Sequence, residues 1–253
     1  MAPIGRVTMV NAVLISIPIY LLMAINVPKW VIKGIDKVRR GFLPSGKASA
    51  SGGSCRVAWA RVCAPKSYGG LGVPDLECMG LALRCRWAWQ LRTSPEKPWH
   101  GLNVPISQKE RNLLQVSLTC RVGNGMNVLF WEDNWIQGSS IRTLAPAVHA
   151  AVVARKRNRR TVREALQGRT WIRDISGALG IQAILEYLSL WTSLQSLDAL
   201  SEEPDSIIWR WESSGEYPAR SAYQSMFVGK KFHCKQPSIP SDRAGREAHL
   251  NLS

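Results

Sequence analysis

Apolar positions open this chain in a near-continuous run. From Met9 to Val27, 19 residues are broken only by Asn11, Ser16, Pro18 and Asn26. The pattern predicts a helix over residues 7–25, kinked at Pro18 because proline lacks the amide hydrogen that a helix interior needs. Asn26-Val27-Pro28 ends it, and Pro28 suits the first position of a second helix. There Val31, Ile35, Val38 and Phe42 recur at one-face spacing, while Lys29, Lys33, Lys37 and Arg40 form a basic stripe. The stripe fits either a solvated helix surface or phosphate contact along a nucleic-acid backbone.

Further helical patterning covers residues 77–91, with Met79, Leu83, Trp87 and Leu91 on one face. Arg84, Arg86 and Arg92 interleave with Trp87 and Trp89 there. This suits a single-strand grip or, preferably, a packed core with a wet basic rim. Residues 116–122 and 126–131 flank Gly123-Asn124-Gly125, which predicts a β-hairpin with a tight turn. Thr161 and Glu164 have capping-box spacing. An acidic amphipathic helix is expected over 181–200. A strand over 207–211, a return strand from Tyr217 and a helix over 221–228 follow. The fold class is therefore mainly α with short β-hairpins (α+β), a loosely packed multi-helix fragment.

Composition divides the chain. Residues 44–54, rich in Ser and Gly, read as a flexible linker, and the polar segment 229–253 as a disordered tail. Pro65 to Leu76 reads as an irregular Gly/Pro loop without phosphate-loop spacing. The expected organisation is a helical hairpin over 1–43, the linker over 44–54, a connector region over 55–180, an acidic helix with its following elements over 181–228, and the tail over 229–253.

Charge sharpens the function classes. The formal net charge is +15. Residues 1–180 carry 26 basic and 9 acidic side chains, whereas residues 181–228 carry 2 and 7. A surplus of this kind fits an acidic partner such as RNA or DNA, or a solvated basic surface. The run Arg155-Lys156-Arg157-Asn158-Arg159-Arg160-Thr161-Val162-Arg163 reads as a nuclear-import or nucleic-acid patch, or as a solvated turn. Six scattered cysteines lack metal-finger spacing and read as free thiols in a reducing compartment. Glu132 and Asp133 are adjacent acids without nearby ligands, so a loop role outweighs a metal site. Residues 9–27 approach the length of a bilayer span, but their polar residues and proline favour a buried core helix over a membrane segment. No cofactor, metal site or small-molecule substrate is indicated.

Several blocks resemble one family. Gly5 to Leu14, Pro18, Tyr20, Pro28-Lys29-Trp30-Val31-Ile32 and Ile35-Asp36-Lys37-Val38-Arg39-Arg40-Gly41-Phe42-Leu43 are similar to the region just after the polymerase core of plant LINE-type (non-LTR) retrotransposon reverse transcriptases. Trp59, Val62-Cys63-Ala64-Pro65-Lys66 and Gly69-Gly70-Leu71-Gly72-Val73-Pro74-Asp75-Leu76 continue the match, as do Gly123-Asn124-Gly125 and Phe130-Trp131-Glu132-Asp133-Asn134-Trp135. Ile208-Trp209-Arg210-Trp211, Ser214-Gly215-Glu216-Tyr217 and Ala219-Arg220-Ser221-Ala222-Tyr223 resemble the lead-in to the family's zinc-binding module. The resemblance implies a thumb-and-connector segment over residues 4–228, with residues 1–43 as the thumb and the zinc module truncated. It implies a location in nucleus or cytoplasm.

The family's catalytic aspartate pair has no counterpart here, since the sequence contains no Asp-Asp. A non-catalytic remnant with sequence-independent RNA or DNA backbone binding is expected. The alternatives are a product without molecular function, or a membrane-associated protein through residues 9–27. By resemblance Lys29, Lys33, Lys37, Arg39 and Arg40 contact the backbone. Arg84 and Arg86 join them from the Trp-rich helix.

Overall fold

The computed structural model describes residues 2–46, 57–94, 96–98, 106–196 and 200–229. Most of the expected linker and nearly all of the expected tail lie outside the described residues.

The opening apolar run forms α1 (Pro3–Met9), a wide π-helical turn over Val10–Leu14, and α2 (Ser16–Ala24). The irregularity falls just ahead of Pro18, where the proline cannot donate to the Leu14 carbonyl. Only one face of this 21-residue stretch is covered. Val10, Ile15 and Leu22 are buried, whereas Ile4, Ile17 and Tyr20 are 82%, 69% and 73% exposed. The helix is long and apolar enough to cross a membrane, with mean hydropathy 2.1 over Ile4–Ala24. The expectation of a buried core helix thus holds for one face and fails for the other.

Helix α3 (Lys29–Ser45) runs past Pro44 into its last turn and ends at Gly46, whose left-handed φ of 72° closes the helix on the Phe42 carbonyl. The chain therefore stays helical two residues into the expected linker. Short α4 (Trp59–Val62) and the Gly/Pro loop follow. That loop folds back tightly: a Cβ on Gly70 would sit 1.9 Å from the Ala64 carbonyl oxygen.

Helix α5 (Leu76–Thr93), capped by the Asp75 carboxylate, is the central rod. It packs against α2, α6 (Gln108–Ser117) and α12 (Ala219–Ser225). Trp89 meets Trp209 edge-on and stacks on Tyr217. The buried face of α5 is Leu76, Ala82, Cys85, Ala88 and Trp89, whereas Met79, Leu83, Trp87 and Leu91, expected to share the core face, are half-buried.

The fold class is mainly α with a small antiparallel sheet, but the strand partners differ from expectation. Strand β1 (Leu118–Arg121) pairs with β2 (Ser206–Trp209), in the register Leu118 to Trp209 and Arg121 to Ser206. The expected hairpin about Gly123-Asn124-Gly125 does not form. Asp205 takes that loop instead: its carboxylate accepts the backbone N–H groups of Gly123, Gly125 and Asn127, each at 2.8 Å. Three charge-assisted hydrogen bonds to one side chain outweigh the local turn preference. Tyr217 likewise forms no return strand. Its ring packs on Trp89 and Trp209, and its hydroxyl donates to the Ala82 carbonyl.

Residues 128–191 wrap a second, aromatic core. Phe130, Trp131 and Trp171 are buried together, with Tyr187 and Trp191 against them. Four short helices enclose it: α7 (Ile141–Leu144), α8 (Pro146–Ala150), α9 (Ala154–Arg157) and α10 (Val162–Leu166), the last with the expected capping box at Thr161. Helix α11 (Ile181–Gln195) lies against α8, where its buried Glu186 accepts the Ala147 and Val148 amides. Ile181, Leu185 and Leu188 face outward.

Asp174 anchors this core. It is fully buried and accepts from Arg160 through two bonds (2.8 and 2.6 Å) and from the Trp131 indole at 3.2 Å. Burial acts to raise its carboxyl, but these donors together with Lys156 win and hold it below the ordinary value. A depressed carboxyl stabilises the fold above its unfolded value of about 3.9, and that stability is lost as pH falls through the lower folded value. Urea unfolding should therefore show stability falling below about pH 5. Asp174→Asn should be weaker at neutral pH and show a flatter acid limb. An unchanged acid limb in Asp174→Asn would contradict this.

Candidate nucleic-acid interface

Helix α3 is held by two apolar clusters. Val31, Ile32 and Ile35 pack with Leu22, Val27 and Leu76, and Phe42 and Leu43 pack with Val10, Val62 and Val73. These contacts fix which side faces outward. At about 100° per residue, Lys29, Arg40, Lys33 and Lys37 fall within roughly 80° of the helix circumference. All four are exposed. Trp30 lies beside them and is 76% exposed. Gly34 sits next to it with open space around its α-carbon. The stripe is about 16 Å long at 1.5 Å rise per residue.

Arg39 lies elsewhere. Its side chain is 0% exposed. It donates to Asp36 at 2.7 Å and to the Pro74 carbonyl at 2.6 Å. Its guanidinium also lies 5.4 Å from the Trp59 ring centroid, and that of Arg40 lies 5.1 Å from the same ring. Burial raises the Asp36 carboxyl above its usual range, with Arg39 and Trp59 offsetting part of this. The expected backbone contact by Arg39 is corrected: the residue braces α3 against the Gly/Pro loop.

Arg84 is also engaged internally. It donates to Glu110 at 2.8 Å and to the Leu22 and Ile25 carbonyls at 3.0 and 3.1 Å. It tethers α2 and α6 to α5, which ties up three of the donors expected for nucleic acid. Lys29 and Arg84 line one small recess with Glu77 and Lys109, and a hydrogen bond from Lys109 holds the Glu77 carboxyl below its ordinary value. Arg86 is exposed at the rim of a shallow apolar depression formed by Met23, Leu83 and Trp87.

The structure therefore brings Lys29, Lys33, Lys37 and Arg40 onto one face and leaves Arg86 on α5. Sequence reasoning omitted Trp30 from the site, although its spacing placed it beside the stripe. The basic run 155–163 is partly consumed: Lys156 and Arg160 serve Asp174, and Arg157 serves His149. Glu132 and Asp133 each have their own partners, His149 at 2.9 Å and Arg92 at 2.8 and 2.6 Å. Among the described residues no group of three His, Cys, Asp or Glu side chains is placed to hold a metal ion.

No protein-family model matches the chain, and no solved structure matches it. A curated protein of Arabidopsis thaliana named "putative ribonuclease H protein" is 26% identical over 257 aligned residues, which cover 88% of this chain. The same alignment covers 39% of the relative, so the chain spans well under half of that protein's length.

The division of labour on α3 is measurable. Arg39→Ala removes one partner of a buried ion pair and should cost about 3–5 kcal/mol in urea unfolding. Lys37→Ala, on the exposed face, should stay within about 0.5 kcal/mol of the parent. Equal effects of the two would contradict the assigned roles.

Proposed function

We propose that this chain binds single-stranded RNA or DNA without sequence preference, through the outward face of α3. We further infer that it is a non-catalytic segment related to the thumb and connector of plant LINE-type reverse transcriptases. The observation that carries the binding reading is the four-cation stripe with an exposed tryptophan beside it. Cations spaced about one helical turn apart follow a phosphate backbone, and an exposed indole offers a stacking surface to an unpaired base. Such a Trp in water is otherwise costly, since its apolar area finds no cover.

The relation to the reverse transcriptase family rests on the ordered motif blocks of residues 4–228. The likeness to the Arabidopsis protein supports a nucleic-acid-related origin. The non-catalytic reading is supported by the engagement of the buried acids: Glu110, Asp133, Asp174 and Glu186 each accept from fixed donors.

Binding of a fluorescent oligouridylate across a salt series tests the reading. Each phosphate contact to a single strand contributes about 0.7 to the slope of log affinity against log salt. Lys33→Ala with Lys37→Ala should therefore lower the slope by about 1.4. Trp30→Ala should weaken single-strand binding by roughly 5- to 150-fold, the loss of one stacked base. It should leave duplex binding nearly unchanged. Salt-independent binding, or equal loss on duplex and single strand in Trp30→Ala, would overturn the proposal.

A further inference from the structure

A second basic site lies away from α3, in a cleft of about 740 Å³ between the C-terminal half of α5, helix α6 and the aromatic core. This is within the usual range for small-molecule sites. Four arginines line it: Arg92, Arg111, Arg142 and Arg157. Its two carboxylates are already committed. Asp133 accepts the fork of Arg92 and the Leu129 amide. Glu132 accepts from His149 Nε2 at 2.9 Å and from Gln115 at 3.4 Å.

His149 is committed too. Arg157 can only donate, so the 3.2 Å contact makes His149 Nδ1 the acceptor and places the ring proton on Nε2, toward Glu132. Burial holds this ring below the ordinary histidine range, with Glu132 offsetting part of the effect, so it is neutral at pH 7. The cleft thus carries its positive charge on guanidinium groups and not on the imidazole.

The remaining donors are in surplus. Arg111 and Arg142 are exposed at the rim, and among the described residues neither has a carboxylate within ion-pair distance. Arg157 keeps its Nε buried without a hydrogen-bond partner among the described residues. Leu91, Leu114 and Leu129 add an apolar part to the cleft's mixed lining. Guanidinium forks beside apolar side chains match a planar group that carries a phosphate.

We propose that this cleft binds the phosphate monoester of a nucleotide. Arg111 and Arg142 would grip the phosphate, and the leucines would cover the base. The site is independent of the α3 face, and its test separates the two. Isothermal titration of the full chain would use AMP, adenosine and inorganic phosphate at low salt. AMP should bind the parent and the Lys33→Ala/Lys37→Ala variant equally. It should bind Arg111→Ala/Arg142→Ala at least about ten-fold more weakly, the loss of two charged hydrogen bonds. Adenosine should bind far less tightly than AMP. A 5′-phosphorylated trinucleotide distinguishes a strand end from a free nucleotide: binding tighter than AMP assigns the site to a strand end, and weaker binding to a free nucleotide. Both Arg111 and Arg142 are exposed, so the variant should keep its fold. Phenylglyoxal labelling of the parent gives a second measure, since AMP should slow modification of these two arginines. Equal AMP affinity in the arginine variant, equal affinity for adenosine, or unprotected arginines would overturn the proposal.

Discussion

The buried guanidinium of Arg39 governs how α3 presents itself. A charge removed from water must be paired, and this one is held by Asp36, the Pro74 carbonyl and the face of Trp59. Turning α3 about its axis would break the contacts with Pro74 and Trp59 and leave the buried charge with Asp36 alone. The apolar residues Val31, Ile35 and Phe42 set the helix approximately, and Arg39 sets it specifically. Lys29, Lys33 and Lys37 are then turned outward with Trp30 beside them, and Arg40 joins this exposed face while its guanidinium keeps its contact with the Trp59 ring. The basic face is therefore a consequence of the internal arrangement of one helix.

Tryptophan follows a similar division. Trp131, Trp171 and Trp209 are among the largest fully buried side chains. An indole N–H inside a core needs an acceptor, and each of several has one: Asp174 for Trp131, the Phe130 carbonyl for Trp135, Ser221 for Trp209 and Ser117 for Trp211. These contacts join segments far apart in sequence. Ser117 and Trp211 flank the same end of the β1–β2 pairing, and Asp174 closes the loop that begins at Trp131. Among the described residues most tryptophans build the cores, whereas Trp30 stands exposed.

Local signals were legible in the sequence wherever a short stretch carried the full physics. The one-face spacing of α3, the capping box at Thr161 and the Trp-bearing helix α5 all depend on neighbours within one or two turns. Features that depend on distant residues were not. Gly123-Asn124-Gly125 is a strong hairpin signal, but Asp205, some 80 residues on, claims its amides. Arg39 and Arg40 are chemically identical neighbours, yet one helix step of about 100° separates core from solvent. That step was visible in principle, since it puts Arg39 at the edge of the Val31–Ile35–Phe42 face. The exposed side of α1 and α2 was unreadable for a different reason: an apolar run states what must be covered and not what covers it.

Photo-crosslinking of the full chain to single-stranded RNA carrying 5-bromouridine, mapped by peptide mass spectrometry, tests the central claim most directly. Crosslinks should concentrate on the peptide spanning residues 29–40, with Trp30 as the main adduct, and should fade as salt is raised. Crosslinks confined to other segments, or absent from residues 29–40 at low salt, would contradict the account.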